Sequence, residues 1–377
     1  MEGLGRRDVL KLGLLSPGAL ALRPPDPPAD FPAFGIGRVT VEWIGLYSEP
    51  SFRAPRPHKL TRDTLLSLLA RVTADEGPRH NPIWYLVPDG YVHSGHVQPV
   101  AWQPMPAERH VPVAGALFEV SVPYTRTYRS PDPASDPLYR LYYQSTAWVT
   151  SSGNGEDGRV WYELLDDLLR IRYYVRGEHL RRIAPDEFTP ISAEVPLQHK
   201  QISVDIRTQE LFCYEFDRLV FRTRISSGIP DSRPRENGIP TITPSGRFFI
   251  ELKMPSRHMG NGRITADLEA YELPGVPWVS FFTATGIAFH GTYWHNDFGR
   301  PMSHGCINMD TREALWLYRW TLPVVQPDPR VKTRQDGQFV CNLVFNLGMT
   351  LFWAQYWVPL SRVDQDGQFG KVAPQRF

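Results

Sequence analysis

The sequence predicts a mainly β protein made of more than one domain. A chain of 377 residues is longer than one ordinary domain, and 42% hydrophobic with 12% aromatic residues supply apolar side chains for two or three cores. The 36 prolines and 29 glycines are a heavy load of turn formers for any helical bundle. Residues 201–206 alternate polar and apolar side chains, as a half-buried strand does. We therefore expect short strands joined by tight turns.

The charge balance excludes partners that are attracted by a large overall field. The chain carries 41 basic and 40 acidic residues, which gives a formal net charge of +1. Nucleic acid and anionic lipid surfaces are bound through an excess of positive charge. We expect no nucleic-acid partner, and a ligand that is recognised locally.

The N-terminal residues predict an export signal followed by a linker. Arg6 and Arg7 precede an apolar stretch at 12–22, which resembles a twin-arginine export signal at residues 1–22; a frayed basic terminus is the alternative. Eleven apolar residues are too few for a membrane-spanning helix. The proline-rich residues 23–37 predict an extended linker. The predicted location is the cell envelope, outside the cytoplasm.

A pattern then repeats in residues 38–105 and 110–195. Trp-Tyr at 84–85 precedes YVHSGHV at 91–97, and Trp-Tyr at 161–162 precedes YVRGEHL at 174–180. Each copy reads as two aromatic strands joined by a turn, which predicts two small β-barrels and resembles bacterial SH3-like modules. The aromatic residues either fill the barrel cores or line a ligand groove, and His96 and His179 are expected to be structural.

Strand signals continue from residue 197 to about residue 325. Residues 201–206 and 211–216 predict a hairpin, 220–225 a third strand, and 247–252 a strand that follows the turn Thr-Pro-Ser-Gly at 243–246. Asp310 is the expected N-cap of a helix at 311–320.

An apolar C-terminal extension follows at 326–377. Residues 338–361 carry no charge, so they predict either a membrane segment or an apolar hairpin packed on the preceding domain. Asn342, Asn346 and Gln355 within this stretch favour the hairpin. A weak contact with membrane or cell wall therefore stays among the expected interactions.

The segment FHGTYWHNDFGRPMSHGCINMD, at 289–310, carries the chemistry. A free thiol has a pKa of about 8.5, so it needs a neighbouring base to act as a nucleophile at neutral pH. His304 is only two residues from Cys306, too close in sequence to align well with it, so we expect His290 to be the base. The Gly291 carbonyl or Ser303 would orient the imidazole, and the amides around Gly305 would stabilise an oxyanion.

Two other uses of these residues are considered. His290, His295, His304 and Cys306 could form a zinc site, although only Asp297 and Asp310 lie near in sequence to complete it. An exported chain with three cysteines leaves at least one thiol unpaired, and the sequence leaves open whether Cys213 and Cys341 form a disulfide.

The motif resembles the active site of a known family. His-Gly at 290–291 followed by Ser-His-Gly-Cys-Ile-Asn at 303–308 is similar to the signature of the L,D-transpeptidase (YkuD) catalytic domain. Residues 201–205, 209–211 and 243–246 resemble the opening hairpin and the Thr-Pro-x-Gly turn of the same domain. The resemblance covers residues 197–325.

The resemblance implies a β-sandwich domain that acts on peptidoglycan stem peptides without a metal or other cofactor. Cys306 would attack the carbonyl between the third stem residue and the terminal D-alanine, His290 would be the base, and an amine of a second stem would resolve the thioester into a 3→3 cross-link. Ser303, His304 and Gly305 would line the oxyanion and substrate region. The residues assigned to substrate binding are Tyr293, Trp294, Arg300 and Asn308.

The same sequence features are consistent with two other functions. Water in place of the amine would make the protein an L,D-carboxypeptidase. Loss of catalysis would leave a wall-binding protein, although the chain keeps both Cys306 and His290.

Overall fold

The computed structural model describes residues 35–230, 241–268, 270–322, 324, 333–334 and 343–346. These residues form twenty-five β-strands and one α-helix, which confirms the predicted mainly β class. The predicted signal at 1–22 lies outside the described residues, as does most of the linker at 23–37. The first strand begins at Ile36, inside the predicted linker.

The first β module (residues 36–100) contains three small antiparallel sheets. They are formed by β4-β1-β8, β2-β3 and β5-β6-β7. Val39, Leu68 and Val92 belong to its apolar core. Its strands are β1 (Ile36–Val39), β2 (Trp43–Leu46), β3 (His58–Thr61), β4 (Leu65–Ser67), β5 (Ala70–Thr73), β6 (Ile83–Val87), β7 (Gly90–His93) and β8 (Val97–Val100).

The second β module (residues 116–182) is one seven-stranded sheet in the order β11-β10-β14-β13-β12-β9-β15. Its core contains Phe118, Tyr162 and Val175. Its strands are β9 (Ala116–Val120), β10 (Tyr124–Tyr128), β11 (Pro137–Tyr142), β12 (Thr146–Asn154), β13 (Val160–Leu165), β14 (Arg172–Arg176) and β15 (Leu180–Arg182).

The repeated sequence pattern has the same local structure in both modules. β6 and β7 form a hairpin that pairs Trp84 with His93, and β13 and β14 form one that pairs Trp161 with Arg176. A 3₁₀ turn follows each hairpin, at Ser94–His96 and Gly177–His179. Both tryptophans are fully buried. They are therefore buried within the modules and do not line an exposed groove, while likeness to SH3 domains stays a prediction.

The remaining strands form two five-stranded sheets, in the orders β18-β17-β16-β25-β19 and β23-β22-β21-β20-β24. The predicted hairpin at 201–216 is confirmed, but the strand predicted at 247–252 is interrupted after Phe248. The strands are β16 (Lys200–Asp205), β17 (Glu210–Glu215), β18 (Arg218–Arg224), β19 (Arg247–Phe248), β20 (Leu252–Gly260), β21 (Glu272–Phe281), β22 (Ala288–Gly291), β23 (Ile307–Met309), β24 (Thr333–Arg334) and β25 (Leu343–Asn346).

A helix and an apolar core join the two sheets. Ile202 and Leu211 of one sheet pack in the same cluster as Phe289 and Ile307 of the other, together with Leu317 of the helix. This arrangement is the predicted β-sandwich.

The helix α1 (Thr311–Trp320) has the predicted cap and a second one at its other end. The Asp310 carboxylate accepts the Arg312 N–H at 2.9 Å. At the C-terminus, the Lys253 ammonium donates to the carbonyl of Thr321 at 2.7 Å and Lys200 donates to that of Trp320 at 3.0 Å. Burial lowers the pKa of Lys253 to about 7.

Two strands of the predicted C-terminal extension enter these sheets. β24 pairs with β20, and β25 lies parallel to β16 and antiparallel to β19. Both sheets therefore continue past the predicted domain boundary at 325. The rest of residues 326–377, and with it most of the predicted apolar hairpin, lies outside the described residues. In the part that is described, no helix combines the length and the hydrophobicity needed to span a bilayer.

Candidate functional site

Two parallel strands bring the predicted base and nucleophile to one face of a sheet. β22 and β23 pair Phe289 with Ile307 and His290 with Asn308. Phe289 and Ile307 both point into the sandwich core. Because neighbouring residues of a strand face opposite sides, His290 and Cys306 lie on the other face, as diagonal neighbours.

The imidazole of His290 is buried and oriented by the backbone. Its Nδ1 donates to the Gly291 carbonyl at 3.0 Å, which is the orienting group proposed from the sequence. With the proton held on Nδ1, Nε2 is left as an acceptor. Burial lowers the pKa of His290 to about 4, so the ring is neutral at physiological pH.

The thiol of Cys306 is half-buried and protonated at neutral pH. Burial raises its pKa to about 11, although a backbone hydrogen bond from Ala288 acts in the opposite direction. Sγ lies 3.9 Å from the Gly286 carbonyl oxygen. Cys306 and His290, both described, form no hydrogen bond with each other. The pair is thus a neutral thiol and a neutral imidazole.

Ser303 builds the tight turn that presents Cys306. Its hydroxyl donates to the Cys306 carbonyl and accepts the Gly305 N–H at 3.2 Å. Gly305 has a φ of +118°, which side chains rarely tolerate, and its carbonyl accepts the Thr243 hydroxyl at 2.7 Å. The Gly305 amide is therefore engaged within the turn, whereas the sequence assigned it to the oxyanion. Ser303 shapes the turn and does not orient His290.

Two side chains border the open side of the site. His304 is exposed, and its ring packs edge-on against Tyr271 with centroids 5.1 Å apart. Trp294 is half-buried and packs against His290 with centroids 5.6 Å apart. Both positions are accessible to a ligand that approaches Cys306.

Two of the residues assigned to substrate binding from the sequence are buried, and their assignment stays a prediction. Tyr293 is buried, and its hydroxyl donates to the Pro274 carbonyl at 2.9 Å. Asn308 is buried, with its Nδ2 2.8 Å from Nε2 of His295. Asn308 lies on the same sheet face as His290, its register partner, and is covered there by His295 of the following loop. Arg300 is exposed and donates to Asp297, so its assignment stays a prediction.

The described residues contain no group of three or more potential metal ligands. His295 contacts Asn308 and accepts the Asp297 N–H at 3.3 Å, so its two ring nitrogens face protein groups. Cys213 is buried in the sandwich core, where burial raises its thiol pKa. Cys341 lies outside the described residues, so the structure does not test whether Cys213 and Cys341 form a disulfide.

The sequence analysis did not predict several contacts at the site. Asp297 is buried and bound by His80 and Asn81, which are more than 200 positions away. Tyr271 reaches His304 from the loop before β21. No local pattern marks either contact, because each depends on how distant segments pack.

Three comparisons with known proteins concern this part of the chain. Residues 199–333 match the family described as YkuD, the L,D-transpeptidase catalytic domain, which confirms the predicted resemblance for this segment. The chain is 23% identical over 135 residues to a Bacillus subtilis (strain 168) protein named "Putative L,D-transpeptidase YciB". The match covers 33% of this chain and 62% of the relative, so it spans less than two thirds of that protein.

Similar solved structures come from other bacteria. An L,D-transpeptidase of Mycobacterium smegmatis is 16% identical, with 50% of this chain and 89% of that chain covered and a TM-score of 0.29. L,D-transpeptidase 3 of Mycobacterium tuberculosis is 18% identical, with coverages of 39% and 60% and a TM-score of 0.29. An L,D-transpeptidase of Xylanimonas cellulosilytica is 21% identical, with coverages of 39% and 59% and a TM-score of 0.27.

Proposed function

We propose that the L,D-transpeptidase domain at residues 199–333 is catalytically active and forms 3→3 cross-links in peptidoglycan through a thioester on Cys306. The observation that carries the proposal is the tautomer of His290. Its Nδ1 proton is held by the Gly291 carbonyl, so Nε2 is available as a base on the face that Cys306 shares. Since this chemistry occurs on the cell wall, the proposed location is the envelope, reached through the signal at residues 1–22.

The first half-reaction forms the acyl-enzyme. Sγ of Cys306 bonds to the carbonyl carbon between the third stem residue and the terminal D-alanine, and the thiol proton passes to Nε2 of His290. The carbon–nitrogen bond then breaks, and the amine of D-alanine leaves with that proton. Because the thiol pKa is about 11 and the imidazole pKa about 4, proton transfer has to accompany attack, as a standing ion pair would be unfavourable.

The second half-reaction transfers the acyl group. An amine of a second stem attacks the thioester carbon and gives its proton to Nε2, and the carbon–sulfur bond breaks as Sγ takes that proton back. The peptide product leaves, and both side chains return to their neutral state. No cofactor takes part in either half-reaction.

The pKa of His290 sets the acidic limit of the reaction. A base is active above its pKa, so acylation should persist from pH 8 down to about pH 5 and fall as the pH passes about 4. Acylation of Cys306 by imipenem, followed by intact-mass spectrometry between pH 3.5 and 8, measures this limit. A loss centred between pH 6 and 7 would contradict the buried, neutral imidazole.

Purified tetrapeptide muropeptides test the reaction itself. Mass spectrometry distinguishes cross-linked dimers, which support transpeptidation, from trimmed tripeptides, which indicate the L,D-carboxypeptidase alternative. No product at all favours the non-catalytic wall-binding alternative.

Two variants assign the roles in that assay. Cys306→Ser should abolish turnover, while Cys213→Ser is the matched control that removes a core thiol and leaves the chemistry largely intact. His290→Ala should lose on the order of 10² to 10⁴ in rate, more than His295→Ala. Strong residual turnover in Cys306→Ser would overturn the mechanism.

A further inference from the structure

One loop contacts both strands that carry the site. The histidine loop (residues 292–300) follows His290 directly. Within it, Trp294 packs on the His290 ring at 5.6 Å between centroids, and Nε2 of His295 lies 2.8 Å from Nδ2 of Asn308 in β23. The position of this loop therefore affects how β22 and β23, and with them His290 and Cys306, are aligned.

The first β module holds this loop through a buried carboxylate. Asp297 is 3% exposed, and its Oδ1 accepts the Asn81 Nδ2 at 3.0 Å and lies 3.2 Å from Nε2 of His80. Its Oδ2 accepts Nε of Arg300 within the loop. Hydrogen bonds from Asn81 and the charges of Arg300 and His80 outweigh the effect of burial and lower the pKa of Asp297, which keeps it ionised.

Further contacts from the same module fix the backbone of the loop. The Gly95 carbonyl accepts the Asn296 N–H at 2.8 Å, and a Cβ at Gly95 would lie 2.8 Å from Cγ of Asp297. Arg38, which is buried, donates to the Tyr293 carbonyl at 2.7 Å. The loop is thus held at three successive parts of its length by residues from the opposite end of the sequence.

A short chain of hydrogen bonds connects Asp297 to the strand after Cys306. The Asp297 N–H donates to Nδ1 of His295 at 3.3 Å, which leaves the ring proton on Nε2. Nε2 faces the buried amide of Asn308 at 2.8 Å, and it donates to that amide when Oδ1, which has no other partner among the described residues, is the atom turned towards it. Asn308 is the register partner of His290. A shift of Asp297 would be passed to both catalytic strands through this chain.

We propose that Asp297, held by Asn81 of the first β module, is a positioning residue for acyl transfer to Cys306. The inference rests on the proposed function and extends it: the first β module is part of the active-site structure, in addition to any contact it makes with the cell wall. Misplacement of catalytic groups by about 1 Å costs on the order of 10²-fold in rate.

The test variant replaces the amide nitrogen of Asn81 with an oxygen. Asn81→Asp keeps the size of the side chain and the Oδ1 that accepts Ser94 at 3.0 Å and the Ile83 N–H at 3.2 Å. It places a second carboxylate against Asp297, where two ionised groups repel. We expect the rate of Cys306 acylation by imipenem to fall about 10- to 100-fold at pH 8 relative to the unmodified protein.

Two responses separate positioning from a general loss of structure. The deficit of Asn81→Asp should shrink to about threefold or less near pH 5, where the two carboxylates share a proton. The double variant Asn81→Asp/Asp297→Asn restores one donor and one acceptor with the roles exchanged, and should recover the rate at pH 8. Asn154→Asp makes the same change at an exposed position and is the control. If Asn81→Asp does not fold, Asp297→Ala replaces it, with a loss of rate that is independent of pH.

The inference is overturned if folded Asn81→Asp is acylated at the unmodified rate at pH 8, or if its deficit is neither pH-dependent nor rescued. Failure of the proposed function has a different result, in which imipenem does not acylate the unmodified protein at all. In that case the rate of Cys306 alkylation by iodoacetamide, with adducts assigned by peptide mapping, is compared in the same proteins. A change in Asn81→Asp that the double variant reverses supports the inference, and equal rates reject it.

Discussion

The two loops that border the Ser-His-Gly-Cys turn are held by different modules with opposite charge arrangements. The histidine loop is held by the first β module around the anion of Asp297. The tyrosine loop (residues 261–271, of which 269 is not described) is held around a cation, His258, whose Nδ1 lies 2.6 Å from Asp166 of the second β module and whose Nε2 lies 2.9 Å from Glu272. Glu272 also accepts the N–H groups of Gly262 and Arg263.

This difference means that the contacts between the two modules and their loops respond to pH in opposite ways. The pKa of His258 is raised, because its hydrogen bonds to Asp166 and Glu272 outweigh the effect of burial. Its stabilising charge is fully present below about pH 6.5 and is lost as the pH rises through the raised pKa. Asp297 has a lowered pKa, so its contribution is lost only as the pH falls below about 4. Alkaline pH should therefore loosen the tyrosine loop and leave the histidine loop in place.

The variant with the largest expected effect removes the imidazole of His258, which lies between the two carboxylates. His258→Ala leaves two buried carboxylates without their cation, which typically costs about 3–5 kcal/mol in the free energy of unfolding. Arg257→Ala, which removes the partly exposed neighbour paired with Asp167, should cost about 1 kcal/mol or less.

Urea unfolding at pH 6 and pH 9 measures both variants. The penalty for His258→Ala should be larger at pH 6, because the unmodified ring is then charged. Equal penalties at the two pH values would show that His258 is neutral in the folded protein, and a penalty like that of Arg257→Ala would show that the buried triad contributes little.

The second prediction tests the close approach at the histidine loop. Gly95→Ala places a methyl group 2.8 Å from Cγ of Asp297, and relief of this overlap should cost about 1–3 kcal/mol and slow Cys306 acylation. Gly153→Ala is the matched control, because a Cβ there meets no atom within 4 Å, and its effect should stay within about 0.5 kcal/mol. Thermal unfolding and imipenem acylation are measured together. Identical behaviour of the two variants would mean that the loop does not depend on the first β module.

The contrast between the loops also explains which features were predictable from sequence. The β class, the hairpin at 201–216, the helix cap at Asp310 and the pairing of His290 with the Gly291 carbonyl depend on residues close together in the chain, where alternation, capping and turn chemistry act. The burial of Tyr293 and Asn308 was not predicted, because it depends on contacts with Pro274 and His295 that the sequence does not show. Asn81–Asp297 and Asp166–His258 join segments 216 and 92 positions apart, and only folding brings them together.

The smallest expected effect separates the two partners that the first β module offers to Asp297. His80 is a quarter exposed and lies 3.2 Å from Oδ1, whereas the Asn81 amide is buried and donates to the same oxygen at 3.0 Å. Since solvent screens exposed pairs and Arg300 still holds Oδ2, His80→Ala should cost about 1 kcal/mol or less and slow Cys306 acylation by less than about threefold. Acylation and thermal unfolding are compared at pH 8 with those of Asn81→Asp. If His80→Ala proves the more damaging variant, the carboxylate is held chiefly by the imidazole, and the role assigned to the Asn81 amide passes to His80.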